Sequence, residues 1–203
     1  MPVSKQQMII AAAIAFLAML FCWSTGPAQD RPLDAMLYDP GPLKPVDSVL
    51  TVKVGDPAPP FSLPSIAGKT VSLAQYRGTH NVVISFVPAA WTPVCSDQWP
   101  GYNIAEDIFA ETDTVLIGIT VDNIPTLYAW TEQMGDLWFP VLSDFWPHGA
   151  VADRYGVLRS DGVAERALFV IDKQGIITAI KVSDINVRPD LEWCAVELEK
   201  INR

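Results

Sequence analysis

Several apolar runs along the chain lack the polar alternation of a half-exposed strand. The clearest are residues 81–87 (NVVISFV) and 114–121 (TVLIGITV), which are rich in β-branched side chains. Such runs are typical of strands that are buried on both faces of a sheet. Residues 167–171 and 176–182 form another pair, and the turn sequence Asp-Lys-Gln-Gly between them predicts a hairpin.

Helical patterns separate these strands. We predict helices at residues 93–112, 124–134, 150–155 and 189–201, and short strands at residues 61–63, 71–73 and 139–142. A further short strand is expected within residues 48–54. Strands that alternate with helices, followed by a hairpin and a closing helix, predict an α/β fold with a mixed central sheet flanked by helices.

An almost wholly apolar segment, residues 8–23, follows Lys5, and no acidic residue precedes it. This is the layout of a secretory signal or an N-terminal anchor, and the positive-inside rule directs the rest of the chain outward. The length favours a retained membrane anchor, which would hold the protein at the outer face of the cytoplasmic membrane. Cleavage would make the protein periplasmic or secreted, and both outcomes stay open.

The apolar segment is the first of three predicted regions of the chain. Residues 1–26 are predicted to be the signal or anchor segment. Residues 27–50 contain five prolines and predict an extended, semi-rigid linker, since proline blocks both helix and strand pairing. Residues 51–203 are then a single domain of ordinary size.

Composition narrows the function classes. The net charge of −9 comes without any basic cluster, so nucleic acid is not an expected partner. The chain has three cysteines and two histidines, in which neither a CxxC pair nor metal-ligand spacing occurs. We therefore predict neither a metal nor a cofactor.

Cys95 is the candidate for a reactive side chain. Residues 88–95 (PAAWTPVC) join a buried strand to a helix, with Thr92 as a suitable N-cap and Pro93 at the first helical position. Cys95 then lies in the first turn, where free backbone N–H groups and the helix dipole favour a nucleophilic thiolate. The local pattern also leaves open a small cysteine that is simply packed in the core.

Pro88, Thr92 and Cys95 match the spacing P-x-x-x-[TS]-x-x-C, the signature of the peroxiredoxins, or AhpC/TSA family. The similarity to this family extends over residues 54–182 and includes Arg166, which stands where the family has its active-site arginine. The resemblance implies a thioredoxin-like fold, preceded here by the N-terminal hydrophobic helix and the Pro-rich linker. It also implies a thiol-dependent peroxidase that reduces hydrogen peroxide and organic hydroperoxides, an antioxidant activity placed here outside the cytoplasm.

The resemblance assigns a role to each matched residue. Cys95 would attack the peroxide and become a sulfenic acid, and Arg166 would stabilise the thiolate and the leaving oxygen. Thr92 would orient the peroxide, and Pro88 would shield the thiolate from water. Gln98, one helical turn past the cysteine, stands where relatives often have a polar residue that steadies the arginine.

Relatives differ in how the sulfenic acid is resolved. Cys194 is the candidate within the domain, but it stands in line with Leu191, Leu198 and Ile201 on the buried stripe of the closing helix. We therefore predict a one-cysteine mechanism, in which an external thiol or a thioredoxin-like protein restores Cys95. The resemblance also implies pairing into a homodimer, which many peroxiredoxins show.

Other interpretations stay open at the level of the sequence. Arg159 is the fallback for the active-site arginine. Four tryptophans are expected in the core or the pocket wall: Trp91, Trp99, Trp138 and Trp146. A membrane-tethered thiol-disulfide oxidoreductase of the thioredoxin type shares the anchor and the linker, but it would need a second thiol near Cys95. A copper chaperone and a catalytically silent binding module on the same fold are further alternatives.

Overall fold

The structure, a computed structural model, describes residues 32–201. Seven strands lie in this part of the chain: β1 Ser62–Pro64, β2 Thr70–Ser72, β3 Asn81–Phe86, β4 Thr114–Thr120, β5 Val141–Ser143, β6 Arg166–Ile171 and β7 Ile177–Ser183. Five α-helices accompany them: α1 Pro93–Ile104, α2 Glu106–Ala110, α3 Ile124–Thr131, α4 Ala150–Tyr155 and α5 Leu191–Ile201. Short 3-10 turns lie at Leu33–Met36 and Leu73–Tyr76.

Five of the strands form the central sheet, in the order β5-β4-β3-β6-β7. β3, β4 and β5 run parallel to one another, whereas β6 pairs antiparallel with both β3 and β7. The predicted mixed sheet and its hairpin are therefore confirmed. Parallel neighbours need a crossover connection, and α1 and α2 supply it between β3 and β4.

The sheet is covered on both faces because its side chains alternate along each strand. On one face, Phe86 and Phe169 pack against Tyr155 of α4, with ring centroids 5.6 and 4.8 Å from the tyrosine ring. On the other face, Ser85 of β3 and Gly118 of β4 lie against side chains of α1. Every residue of β3 and β6 is buried, as the continuous apolar runs predict.

The helix predicted at residues 93–112 is in fact two helices. α1 ends at Ile104, and Ala105, with φ −100° and ψ 15°, separates it from α2. The amide of Ala105 donates to the carbonyl of Tyr102, three residues back, at 3.1 Å, so the last turn tightens instead of continuing. Position 105 holds neither glycine nor proline, so no helix-breaking residue marks the point where the two helices separate.

Residues 48–54, where a short strand is expected, contain no strand, so that prediction is wrong. Their backbone instead lies against Gly156, which ends α4 in a left-handed conformation with φ 69°. A Cβ at this glycine would collide with the backbone nitrogen of Thr51. Hydrogen bonds such as that from the Thr51 hydroxyl to the carbonyl of Arg154, at 2.6 Å, hold this segment on the domain without strand pairing.

The hydrophobic segment predicted at residues 8–23 lies outside the described residues, as does the start of the Pro-rich linker. Within residues 32–201, no helix combines the length and the apolar character that crossing a bilayer demands. The N-terminal anchor therefore stays a prediction from the sequence.

Gly118 of β4 is expected to resist substitution because α1 lies directly on it. A Cβ at this position would lie 2.7 Å from Cζ2 of Trp99. We expect Gly118→Ala to lower the free energy of unfolding by about 1–3 kcal/mol through overpacking, measured by chemical denaturation. Gly101→Ala is the control, because a Cβ there approaches Arg188 only to 3.4 Å and alanine favours a helix. Equal stability of the two variants would contradict the prediction.

Candidate active site

Cys95 is the third residue of α1, so it lies in the first helical turn as predicted. Thr92 precedes the helix in an extended conformation, with φ −109° and ψ 151°, and Pro93 occupies the first helical position. Trp91, with φ 61°, turns the chain between β3 and α1. Because Cys95 is fully buried, the positive end of the helix dipole acts on its sulfur with little screening by water.

The guanidinium of Arg166 lies beside this sulfur. Its Nη2 is 3.4 Å from Sγ of Cys95, and both residues are buried. The register of the sheet explains the contact, since Phe86 at the end of β3 pairs with Ala167 in β6. The antiparallel pairing therefore brings the first residue of β6 to the point where the chain leaves β3 toward Cys95. The contact places a full positive charge against the sulfur.

Arg166 is held by two further partners. Its Nε and Nη2 donate to the carbonyl of Ile185 at 3.2 and 3.0 Å, and its Nη1 donates to Oε1 of Gln98. Gln98 thus contacts the arginine as the resemblance implies. The sequence offers no signal for the Ile185 carbonyl, because any residue could supply a backbone oxygen at that position.

Gln98 is itself oriented by two hydroxyl groups. Its amide nitrogen donates to Oγ of Ser85 at 3.2 Å and to the phenol oxygen of Tyr102 at 2.9 Å. Burial, with a smaller contribution from nearby Cys194, raises the pKa of Tyr102 above its usual range, so the phenol stays protonated. Sequence reasoning missed Tyr102, although its position four residues after Gln98 on α1 puts both on one helix face.

Thr92 stands at the predicted N-cap position, but its side chain does not cap the helix. Its hydroxyl donates to the carbonyl of Ala89 at 2.9 Å instead of accepting a helix amide. The oxygen therefore remains available as an acceptor. Pro88 is buried in the same loop.

A cavity of about 660 Å³ adjoins these groups. Pro88, Thr92, Cys95 and Arg166 all line it, so the structure brings the four predicted site residues together. Residues 38–43 line it as well, although the sequence pattern predicts only a tether there. Their proline content shows that the segment is extended, but it does not show where the segment lies.

Arg159 and Cys194 lie away from this arrangement. Arg159, the fallback arginine, is buried in an ion pair with Glu165 at 2.9 Å. Cys194 in α5 is 1% exposed, and burial raises the pKa of its thiol to about 12. Cys194 is therefore held as a packed thiol, which agrees with its position on the buried stripe of the helix.

The four tryptophans divide between core and surface. Trp99 is fully buried, and Trp138 and Trp91 are partly buried. Trp146 is 82% exposed, so the expectation of a core or pocket-wall position is wrong for this residue. None of the four lines the cavity beside Cys95, whereas residues 38–43 do.

Comparison with known proteins shows the family. Residues 54–180 match the AhpC/TSA family. Alkyl hydroperoxide reductase E of Mycobacterium tuberculosis is 40% identical over 127 residues, which cover 62% of this chain and 82% of that protein. Peroxiredoxin-2 of Cricetulus griseus is 37% identical over 145 residues, which cover 66% of this chain and 71% of that protein.

Solved structures agree with this match. The reduced 2-Cys peroxiredoxin of Plasmodium vivax is similar with a TM-score of 0.68 at 26% identity, over 73% of this chain and 81% of that one. The peroxidoxin BcpB of Mycobacterium tuberculosis is similar with a TM-score of 0.65 at 27% identity, over 74% and 98% of the two chains. The fold is thus the thioredoxin-like α/β fold of thiol peroxidases. The chain belongs to the AhpC/TSA family, the peroxiredoxins, which are peroxidase oxidoreductases.

We expect Cys194 to be inert toward alkylating reagents in the folded protein. Its pKa of about 12 leaves roughly one thiol in 10⁴ ionised at pH 8, and only the thiolate is nucleophilic. Iodoacetamide should therefore leave Cys194 unmodified in the native protein and label it after unfolding in guanidinium, as read by peptide mass spectrometry. Rapid labelling of Cys194 in the native state would show that the residue is accessible and would contradict the prediction.

Proposed function

We propose that the protein reduces hydrogen peroxide and organic hydroperoxides through a sulfenic acid on Cys95. The observation that carries this proposal is the Arg166 guanidinium 3.4 Å from the sulfur at the start of α1. Reactive cysteines in proteins are found beside cations and at helix N-termini, and Cys95 has both neighbours. Membership of the peroxiredoxin family supports the same chemistry.

In the proposed step, the sulfur of Cys95 attacks the terminal oxygen of the hydroperoxide. The S–O bond forms as the O–O bond breaks, and the sulfur loses two electrons to become a sulfenic acid. The leaving oxygen takes up a proton and departs as an alcohol, or as water when the substrate is hydrogen peroxide. Arg166 is close enough to stabilise the charge that moves from sulfur to the leaving oxygen, and the Thr92 oxygen can accept the peroxide O–H.

The proposed cycle closes with an external reductant. A first thiol displaces the sulfenic oxygen as water and forms a mixed disulfide with Cys95, and a second thiol releases the Cys95 thiolate. A thioredoxin-like protein would supply both thiols from one molecule. The burial of Cys194, whose pKa is raised to about 12, supports an external resolving thiol rather than an internal one.

Stopped-flow tryptophan fluorescence of the full chain mixed with hydrogen peroxide tests this proposal. Wild type should show a second-order phase orders of magnitude faster than free cysteine, and Cys95→Ser should lack it. Arg166→Gln should lower the rate constant by about 100-fold or more, as the loss of a charge-stabilising donor does. Gln98→Leu should lower it about tenfold, because a hydrogen bond to a charged group is lost, while the exposed Gln133→Leu should match wild type.

A sulfenic-acid-specific dione should also label Cys95 of the peroxide-treated protein, as read by peptide mass spectrometry. A wild-type rate no faster than that of free cysteine would overturn the peroxidase proposal. So would a fast phase that persists unchanged in Cys95→Ser.

We further propose that the protein works outside the cytoplasm, held at the membrane by its N-terminal segment. The support is the apolar run at residues 8–23 behind Lys5, whose length approaches that of a bilayer span. The reductant would then be a thiol of the same extracytoplasmic compartment.

Expression of the full chain in a Gram-negative bacterium tests the location. External protease should digest the domain in spheroplasts, and the uncleaved chain should stay with washed membranes. A deletion of residues 8–23 should leave the domain protected inside the cell. Protection of the full chain in intact spheroplasts would refute export, and its release as a shortened chain would refute the retained anchor.

A further inference from the structure

Residues 38–48, here called the strap, cross the domain without regular secondary structure but with fixed anchors. At its start, the amide of Tyr38 donates to the carbonyl of Trp91 at 2.7 Å. Further along, the side chain of Asn186 bonds both the amide and the carbonyl of Leu43, each at 2.9 Å. The strap is therefore tied to the loop before Cys95 at its start and to the segment after β7 at its middle.

A buried ion pair holds the far end of the strap. Oε1 of Glu165 accepts the amides of Asp47 and Ser48 at 2.6 and 2.9 Å, and Arg159 donates to the carbonyl of Lys44 at 3.1 Å. Arg159 and Glu165 are buried and lie 2.9 Å apart. Because a buried ion pair needs its remaining hydrogen-bonding groups satisfied, these strap contacts belong to the folded interior.

One residue joins the strap to the reactive site. The amide of Ile185 donates to the carbonyl of Pro45 at 3.0 Å, while its carbonyl accepts from Arg166 at 3.0 and 3.2 Å. The position of the strap is therefore set relative to Arg166 and, through that residue, relative to the sulfur of Cys95.

Between its anchors, the strap forms one wall of the 660 Å³ cavity that reaches Cys95 and Arg166. Sites for drug-sized organic molecules span about 300–1,000 Å³, so the cavity is far larger than hydrogen peroxide requires. Tyr38 is 71% exposed at this wall and Leu43 is partly buried. A substrate in the cavity could therefore cover apolar surface that the protein itself leaves open.

The charges around the cavity point to an uncharged substrate. Asp39 and Asp161 line the cavity, and Arg166 is the cationic side chain among its described lining residues. Asp161 is partly compensated by Arg159 at 3.3 Å, whereas Asp39 accepts a backbone amide, that of Gly41, at 2.8 Å. The Arg166 guanidinium already contacts the Cys95 sulfur and the oxygens of Gln98 and Ile185. A carboxylate on the substrate would therefore meet net repulsion from the two aspartates.

We propose that the strap is the substrate-selecting wall of this site and that the cavity takes uncharged organic hydroperoxides with a bulky apolar body. The proposal rests on the proposed peroxidase function of Cys95 and narrows its substrates to those that the strap can contact. Contact between the strap and the apolar body supplies binding energy that hydrogen peroxide, with no such body, cannot use. The strap therefore raises the rate constant for apolar hydroperoxides selectively.

The test compares Cys95 oxidation by cumene hydroperoxide and by hydrogen peroxide, with the purified full chain under one set of solution conditions. The double variant Tyr38→Ser/Leu43→Ser should lose about tenfold with cumene hydroperoxide and less than about twofold with hydrogen peroxide. Tyr128→Ser/Leu50→Ser is the matched control, because it changes the same residue types at positions 53% and 40% exposed that do not line the cavity. The control should keep both rate constants.

A carboxylated substrate tests the charge argument. 4-Carboxycumene hydroperoxide differs from cumene hydroperoxide by a single carboxylate. Wild type should react with it about tenfold more slowly at low ionic strength, and Asp39→Asn should narrow that difference. Asparagine can still accept the Gly41 amide, so this variant removes the charge while keeping the turn.

The outcomes separate the two proposals. Equal losses with both peroxides in the strap variant, or no loss with either, would overturn the role of the strap while leaving the peroxidase in place. A carboxylated peroxide that reacts as fast as cumene hydroperoxide would overturn the substrate class. A wild type that reacts with neither peroxide faster than free cysteine does would overturn the peroxidase proposal, and the strap proposal with it.

Discussion

A buried guanidinium beside a buried sulfur sets the requirements for the rest of this structure. Arg166 is 1% exposed, and a buried charge without partners costs several kcal/mol. It contacts the sulfur of Cys95, the amide of Gln98 and the carbonyl of Ile185. The fold must therefore bring the start of α1, its second turn and the segment after β7 to the first residue of β6.

The direction of one strand meets most of this requirement. Because β6 runs antiparallel to β3, its first residue lies at the carboxyl end of β3, where the loop to Cys95 begins. A parallel β6 would place Arg166 at the amino end of β3, away from the loop to Cys95. Side-chain alternation along β3 then turns Ser85 toward α1, where it accepts from Gln98 and orients the amide that holds the arginine.

The strap belongs to the site as much as the sheet does. Glu165 and Arg166 are neighbours in sequence, yet Glu165 accepts two strap amides while Arg166 contacts the sulfur. The residues that match the AhpC/TSA family begin at position 54, after the strap. Cys95 and Arg166 therefore lie within the family match, whereas strap residues outside that match line the cavity beside them.

The features that the sequence determined by itself are those that leave a pattern among neighbouring residues. Continuous apolar runs predicted the buried strands and the hairpin, and the proline and threonine before Cys95 predicted a helix start at the cysteine. The spacing around Cys95, with Arg166, identified residues that line one cavity. The break between α1 and α2, the missing strand at residues 48–54 and the position of the strap were decided by the tertiary structure alone. The break at Ala105 is marked by neither glycine nor proline. The missing strand and the position of the strap depend on bonds that main-chain groups make with distant residues, such as the Leu43 amide that donates to the side chain of Asn186, 143 residues away. A main-chain group is common to every residue type, so the sequence carries no signal for such a bond.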